Sequence, residues 1–120
     1  MKYEEAVAAI TPGLYRHFKG KYYRVLSIAR HSETTEPMVV YQALYGSGGL
    51  WVRPADMWNE TVERDREEIR RFQPLSRAER VLFFEKIFDE VRSILSKWEF
   101  QNTMHIWRLT VVEDIGSMPI

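Results

Sequence analysis

Seven side chains between Arg16 and Arg53 are of the types that bind or transform small molecules: Arg16, His17, His31, Glu33, Tyr41, Trp51 and Arg53. A guanidinium grips a carboxylate or phosphate through two parallel hydrogen bonds, and an indole or phenol beside it stacks on the apolar part of the same ligand. Side chains two apart on a strand share a face. Trp51 and Arg53 therefore project together, as do Val39, Tyr41, Ala43 and Tyr45 on a neighbouring strand. The pattern points to a non-catalytic module that recognises a small anionic or peptide ligand through Arg16, His17, Tyr41, Trp51 and Arg53. The competing assignment puts Trp51 in the core and ties Arg53 to Glu33 or a backbone carbonyl.

His31-Ser32-Glu33-Thr34 is the most polar group. An imidazole, a carboxylate and two hydroxyls in one place can do acid-base chemistry, with His31 and Glu33 as the catalytic pair of a small enzyme. The same residues also suit a turn in which side-chain oxygens satisfy local backbone amides, and that assignment is favoured. His17, His31, Glu33 and His105 supply metal-binding atoms but none of the H-x-H, H-x-x-x-H or H-E-x-x-H spacings, so no metal or other cofactor is expected. There is no G-x-S-x-G nucleophile turn, and Gly46-Ser47-Gly48-Gly49 lacks the lysine of a phosphate loop. That glycine group reads as a turn.

Arg16, Lys19, Lys21, Arg24 and Arg30 fall between Glu5 and Glu33 with no acidic residue among them, interleaved with Tyr15, Phe18, Tyr22 and Tyr23. Basic residues alternating with aromatics suit single-stranded nucleic acid, the alternative function. Against it, 17 basic residues balance 17 acidic ones, leaving no overall field to attract phosphates.

Positioning these groups requires a rigid frame. At 120 residues the chain has room for one core. Tyr3, Ala6, Val7 and Ile10 have helical spacing and end at Thr11-Pro12-Gly13, which predicts a short helix packed on one end of a sheet. Strands are expected over 14–18, 22–30, 38–45 and 50–53, a helical turn over 54–58, and a last short strand over 60–63, which together suggest a small barrel. The charged run RDREEIRR, residues 64–71, reads as an exposed turn or hairpin tip. With no cysteine there is no disulfide, thiolate site or cysteine nucleophile. Neither a secretory leader nor a membrane span is legible, so a cytoplasmic location is expected.

The segments Pro12-Gly13-Leu14-Tyr15-Arg16-His17, Lys19-Gly20, Ala29-Arg30-His31-Ser32-Glu33-Thr34, Val39-Val40-Tyr41, Leu44-Tyr45-Gly46 and Leu50-Trp51-Val52-Arg53-Pro54 resemble, in order, the signature of the bacterial domain-of-unknown-function family 1653. The resemblance spans residues 12–74 and implies a small SH3-like β-barrel. It implies no activity or ligand. Trp58 stands where that pattern leads to a smaller aromatic.

Beyond Pro74, Ser76 and Glu79 form an S-x-x-E capping box, and apolar periodicity predicts one long helix from about Arg77 to Glu99. Val81, Phe84, Phe88, Val91, Leu95 and Trp98 follow a three-four repeat, widened by Phe83, Ile87 and Ile94. An arc this wide predicts two buried faces, one on the barrel and one on a second copy of the chain in a homodimer. A final strand is expected over Thr103 to Glu113, with His105, Trp107, Leu109 and Val111 on one face, paired with the barrel edge or with a partner chain. Residues 1–74 and 75–120 are thus a barrel and its extension, forming one structural unit.

Overall fold

In the computed structural model, which describes residues 1–97, the chain opens with α1 (Tyr3–Ala9). The strands β1 (Gly13–His17), β2 (Tyr22–Arg30), β3 (Pro37–Ala43) and β4 (Leu50–Pro54) follow, then one helical turn, α2 (Ala55–Trp58). Next come β5 (Thr61–Arg64), β6 (Glu67–Arg70), β7 (Phe72–Pro74) and the helices α3 (Arg77–Lys86) and α4 (Phe88–Lys97). The fold is mainly β with helices. No helix among the described residues is long and apolar enough to cross a membrane.

Period-two patterning divides the sheet into an inner and an outer face. Tyr15, Val25, Val39, Tyr41 and Phe72 point inward and pack with Ala6 of α1, with Ile10 just after it, and with Ala55 and Trp58 of α2. In β2 the inward parity changes from Val25 to Ile28 because the ladder with β3 shifts register between Val25 and Ser27. An extra residue at such a bulge bends the strand and increases its twist, so the sheet curls around its aromatic contents.

The sheet order is β4-β3-β2-β1-β7, all antiparallel. The two edges do not pair, so the expected closed barrel is an open sheet. Its curl still brings them within side-chain reach, since the Arg53 guanidinium of β4 lies 5.5 Å from the Phe72 ring centroid of β7. Two features keep the ladder open. The Trp58 indole stacks flat on Phe72, 3.8 Å between centroids, and fills the interior, while β7 is only three residues long and ends in Pro74, which has no N–H to donate.

The fifth strand of the sheet is therefore Phe72–Pro74, not the expected 60–63 segment. That segment pairs with β6 as a separate hairpin whose tip, Asp65-Arg66, is left-handed at both residues, as a two-residue turn requires. The charged run thus supplies the hairpin tip at Asp65-Arg66, but Glu67–Arg70 of the same run is strand β6.

The outer face is covered by α3 and α4. Leu14, Leu44 and Leu75 pack there with Phe83, Phe88, Val91 and Leu95. Ser76 accepts from the Glu79 amide while Glu79 returns a bond to the Ser76 amide, so the capping box is present. The expected single helix is interrupted at Ile87, the C-cap of α3, whose amide still donates to the Phe83 carbonyl (φ −114°, ψ −26°). Dividing it lets Phe83 meet Tyr22 edge-on at 5.3 Å while α4 covers the leucines. Of the residues expected to face a second copy, Phe88, Val91 and Leu95 are buried in the chain's own core, Val81 is half-buried and Phe84 is exposed. Trp98 and the 103–113 segment lie outside the described residues.

Candidate functional site

At the end of the inner face nearest the glycine turn, Tyr23, Tyr41, Tyr45 and Trp51 line a cleft of about 300 Å³ together with Ala43, Gly46, Ser47 and Gly49. The register places these rings together: Tyr23 faces Ala43 across the β2–β3 ladder, and Tyr41 faces Trp51 across β3–β4. Tyr23 meets Tyr41 and Tyr45 edge-on at 5.6 and 5.5 Å, and the Tyr23 and Tyr45 hydroxyls share a 2.7 Å hydrogen bond. Burial, reinforced by that bond, pushes the Tyr23 phenol above its ordinary range, so it stays protonated and able to donate. Trp51 is 59% exposed, which excludes the core assignment. Its indole nitrogen lies where a β-carbon on Gly49 would be only 3.4 Å away, so the ring rests on that glycine.

Positive charge gathers around the rings. Lys21 Nζ lies 5.1 Å from the Tyr45 ring centroid, and Arg53 sits over Phe72. His17 packs edge-on against Phe72 at 4.9 Å and against Tyr23 at 6.3 Å. Its Nδ1 accepts the Lys19 amide at 3.2 Å, which leaves Nε2 to carry the proton of the neutral ring. Partial burial, then the charges of Arg71, Lys19 and Arg53, pull its pKa below 6.5. Among the described residues, no acidic side chain lines the cleft.

The lowered His17 pKa fixes a direction for pH dependence. The folded chain takes up the imidazole proton less readily than the unfolded chain, so the stabilisation is complete above pH 6.5 and is lost as pH falls through 6.5 toward the lower folded value. His17→Gln is expected to lose less stability on acidification than the parent, read from urea midpoints on either side of 6.5. Equal losses in the two proteins would contradict the assignment.

Of the ligand-binding residues expected from sequence, Tyr41, Trp51, Arg53 and His17 share the inner face, and Arg16 does not. Adjacent residues on a strand point to opposite faces, and Arg16 lies on the outer face, 3.4 Å from the Glu79 carboxylate of α3. Tyr23 and Tyr45 complete the cleft. Tyr45 carried a signal in its period-two relation to Tyr41, whereas Tyr23 is brought in by a register that no local pattern displays.

His31 and Glu33 do not form an acid-base pair. The His31 Nδ1 accepts the backbone amides of Glu33 and Thr34 at 3.1 and 3.3 Å, and the Thr34 hydroxyl accepts the Glu36 amide at 3.2 Å. The imidazole is thus the turn's cap, and Glu33 meets it through its backbone with its side chain exposed. His17 and His31 stand at opposite ends of β2, roughly 25 Å apart, so they share no site. Among the described residues, no group of His, Asp and Glu has metal-binding geometry.

The basic residues of 16–30 do not form one stripe. Arg16 pairs on the outer face and Arg30 lies over the Tyr3 ring at 3.7 Å. Arg24 is buried beside Gln42, where burial pulls its pKa down to about 10 and leaves it charged at neutral pH. Only Lys19 and Lys21 remain exposed beside the aromatic face.

A family model described as protein of unknown function (DUF1653) matches residues 13–74, more than half of the chain. The chain belongs to the DUF1653 family. A crystal structure of a DUF1653 protein from Bordetella bronchiseptica is similar to it, with 39% sequence identity and a TM-score of 0.53 over 57% of this chain and 91% of that one. No curated protein matches. The DUF1653 region contains β1 to β7 and every residue lining the cleft. α3 and α4 follow it.

Proposed function

We propose that this DUF1653 protein is a non-catalytic binding protein whose inner-face cleft takes a small ligand with a flat apolar body and an anionic group. The observation that carries this reading is the exposed Trp51 indole at a cleft otherwise made of packed phenols. Preformed concave sites lined by aromatic rings with a few polar groups are the usual setting for small-molecule recognition. The ligand's flat part stacks on Trp51 and Tyr45. Its anionic group is held by Arg53 or Lys21, with the Tyr23 and Tyr45 hydroxyls as neutral donors. None of the described residues lining the cleft is a carboxylate that would compete for these cations.

Native mass spectrometry of gently purified protein tests this reading through any retained small molecule. Trp51→Ala is expected to weaken retention by roughly 5- to 150-fold, the effect of losing about 1–3 kcal/mol of stacking. Folding stability should change by no more than about 0.5 kcal/mol, because the ring is mostly exposed. Arg53→Ala should reduce retention of anionic ligands. Retention unaffected by both substitutions would overturn the assignment of the site.

A further inference from the structure

Four cationic or protonatable side chains gather where the two edges of the sheet approach each other. Arg53 comes from β4, His17 from β1, Lys19 from the turn after β1, and Arg71 directly precedes β7. Phe72 of β7 is the common floor for two of them: its ring centroid lies 5.5 Å from the Arg53 guanidinium and 4.9 Å from the ring of His17, its register partner. The charges of Arg71, Lys19 and Arg53 all act on the imidazole, and that of Arg53 also acts on the Tyr23 phenol.

Like charges held this close repel unless an opposite charge is set among them. Glu60 is a carboxylate in contact with the group, and Arg71 takes it at 3.5 Å. Arg53 is half-buried and, among the described residues, makes neither a hydrogen bond nor an ion pair. The His17 Nε2–H likewise has no acceptor among them, since only Nδ1 is engaged, and the buried Arg71 Nε also lacks one. The fold therefore collects donors and positive charge here and leaves them short of an anion. Tyr23 joins this place to the aromatic cleft, because it lines the cleft and meets His17 edge-on at 6.3 Å.

We propose that Arg53 and the His17 Nε2–H, with Lys19 beside them, form a phosphate subsite, so that the ligand of the adjoining cleft is an aromatic phosphate monoester and not a carboxylate. The assignment rests on the reading of the cleft as a ligand site and names the anion it takes. A carboxylate uses both its oxygens on the guanidinium fork, whereas a phosphate monoester has three terminal oxygens and close to two negative charges at pH 7, enough for the fork and an imidazole donor together. The dianion also offsets the cations that keep the imidazole neutral, so His17 gains a proton as phosphate binds.

The test titrates the labelled protein with inorganic phosphate, phenyl phosphate and benzoate, read by NMR at the Trp51 indole N–H and the His17 ring. Phenyl phosphate is expected to bind at pH 7 at least about tenfold more tightly than benzoate. The His17 titration midpoint, below 6.5 in the free protein, should rise in the phosphate complexes. His17→Phe, which keeps a ring on Phe72 and removes the donor, should bring phenyl phosphate and benzoate to similar affinity. Equal affinity for the two in the parent protein, or a His17 midpoint unmoved at saturation, would overturn the phosphate subsite, and a Trp51 shift in that same experiment would show that the cleft stands without it. Inorganic phosphate that raises the His17 midpoint while neither aromatic probe moves Trp51 would support the anion site and overturn the cleft as the seat of the aromatic ring.

Discussion

Trp58→Ala is expected to destabilise the protein by about 3–5 kcal/mol, a large share of the 5–15 kcal/mol that holds a domain folded. The indole is 1% exposed, stacks flat on Phe72, and meets Tyr15 and Tyr41 edge-on at 5.4 and 4.9 Å. It joins α2, β1, β3 and the β7 edge, and its removal leaves a cavity among them. Among the described residues its buried Nε1 has no hydrogen-bond partner, so the ring acts through shape and not through a polar bond. Trp58→Phe should accordingly cost only the lost volume, roughly 1–2 kcal/mol. Urea midpoints for the two variants check this. A cost below about 1 kcal/mol for Trp58→Ala would mean the indole is not the keystone of the inner core.

Gly48→Ala is the second large effect, expected at about 2–3 kcal/mol. Gly48 has φ +69°, a conformation that costs an L-residue roughly 1–2 kcal/mol. A β-carbon there also collides with the Ile94 side chain, so α4 must shift or Ile94 must leave its rotamer, for about another 1 kcal/mol. The two parts can be separated. In an Ile94→Ala background the collision disappears, and Gly48→Ala should cost only the backbone part, about 1–2 kcal/mol. Equal costs in both backgrounds would show that α4 does not press on the β3–β4 turn.

Where local chemistry decides a feature, the sequence displayed it. Ser76 and Glu79 form their capping box, the strand-forming run after Lys19-Gly20-Lys21 gives β2 its bounds, and Asp65-Arg66 sits at a hairpin tip within a run of charges. What escaped was decided by distant contacts. Phe72–Pro74 is too short for any periodicity, and it becomes a strand only because β1 offers an edge and Trp58 a ring to stack on. Ile87 carries no proline or glycine to announce a break, and the helix divides there because its apolar residues must follow a curved face. The candidate site was half legible for the same reason. Trp51, Arg53 and Tyr41 share a face by simple alternation, but Arg16 and His17 are neighbours, so only one can join them. The fold selects His17 by turning Tyr15 inward.

NMR titration of the labelled protein with a panel of small aromatic carboxylates and phosphates decides whether the inner-face cleft is a ligand site. The prediction is a saturable shift of the Trp51 indole N–H together with the Gly46 and Gly49 amides for at least one member, lost in Arg53→Ala while the folded spectrum persists. Shifts that map away from these residues, or a panel in which no member moves them, would contradict it.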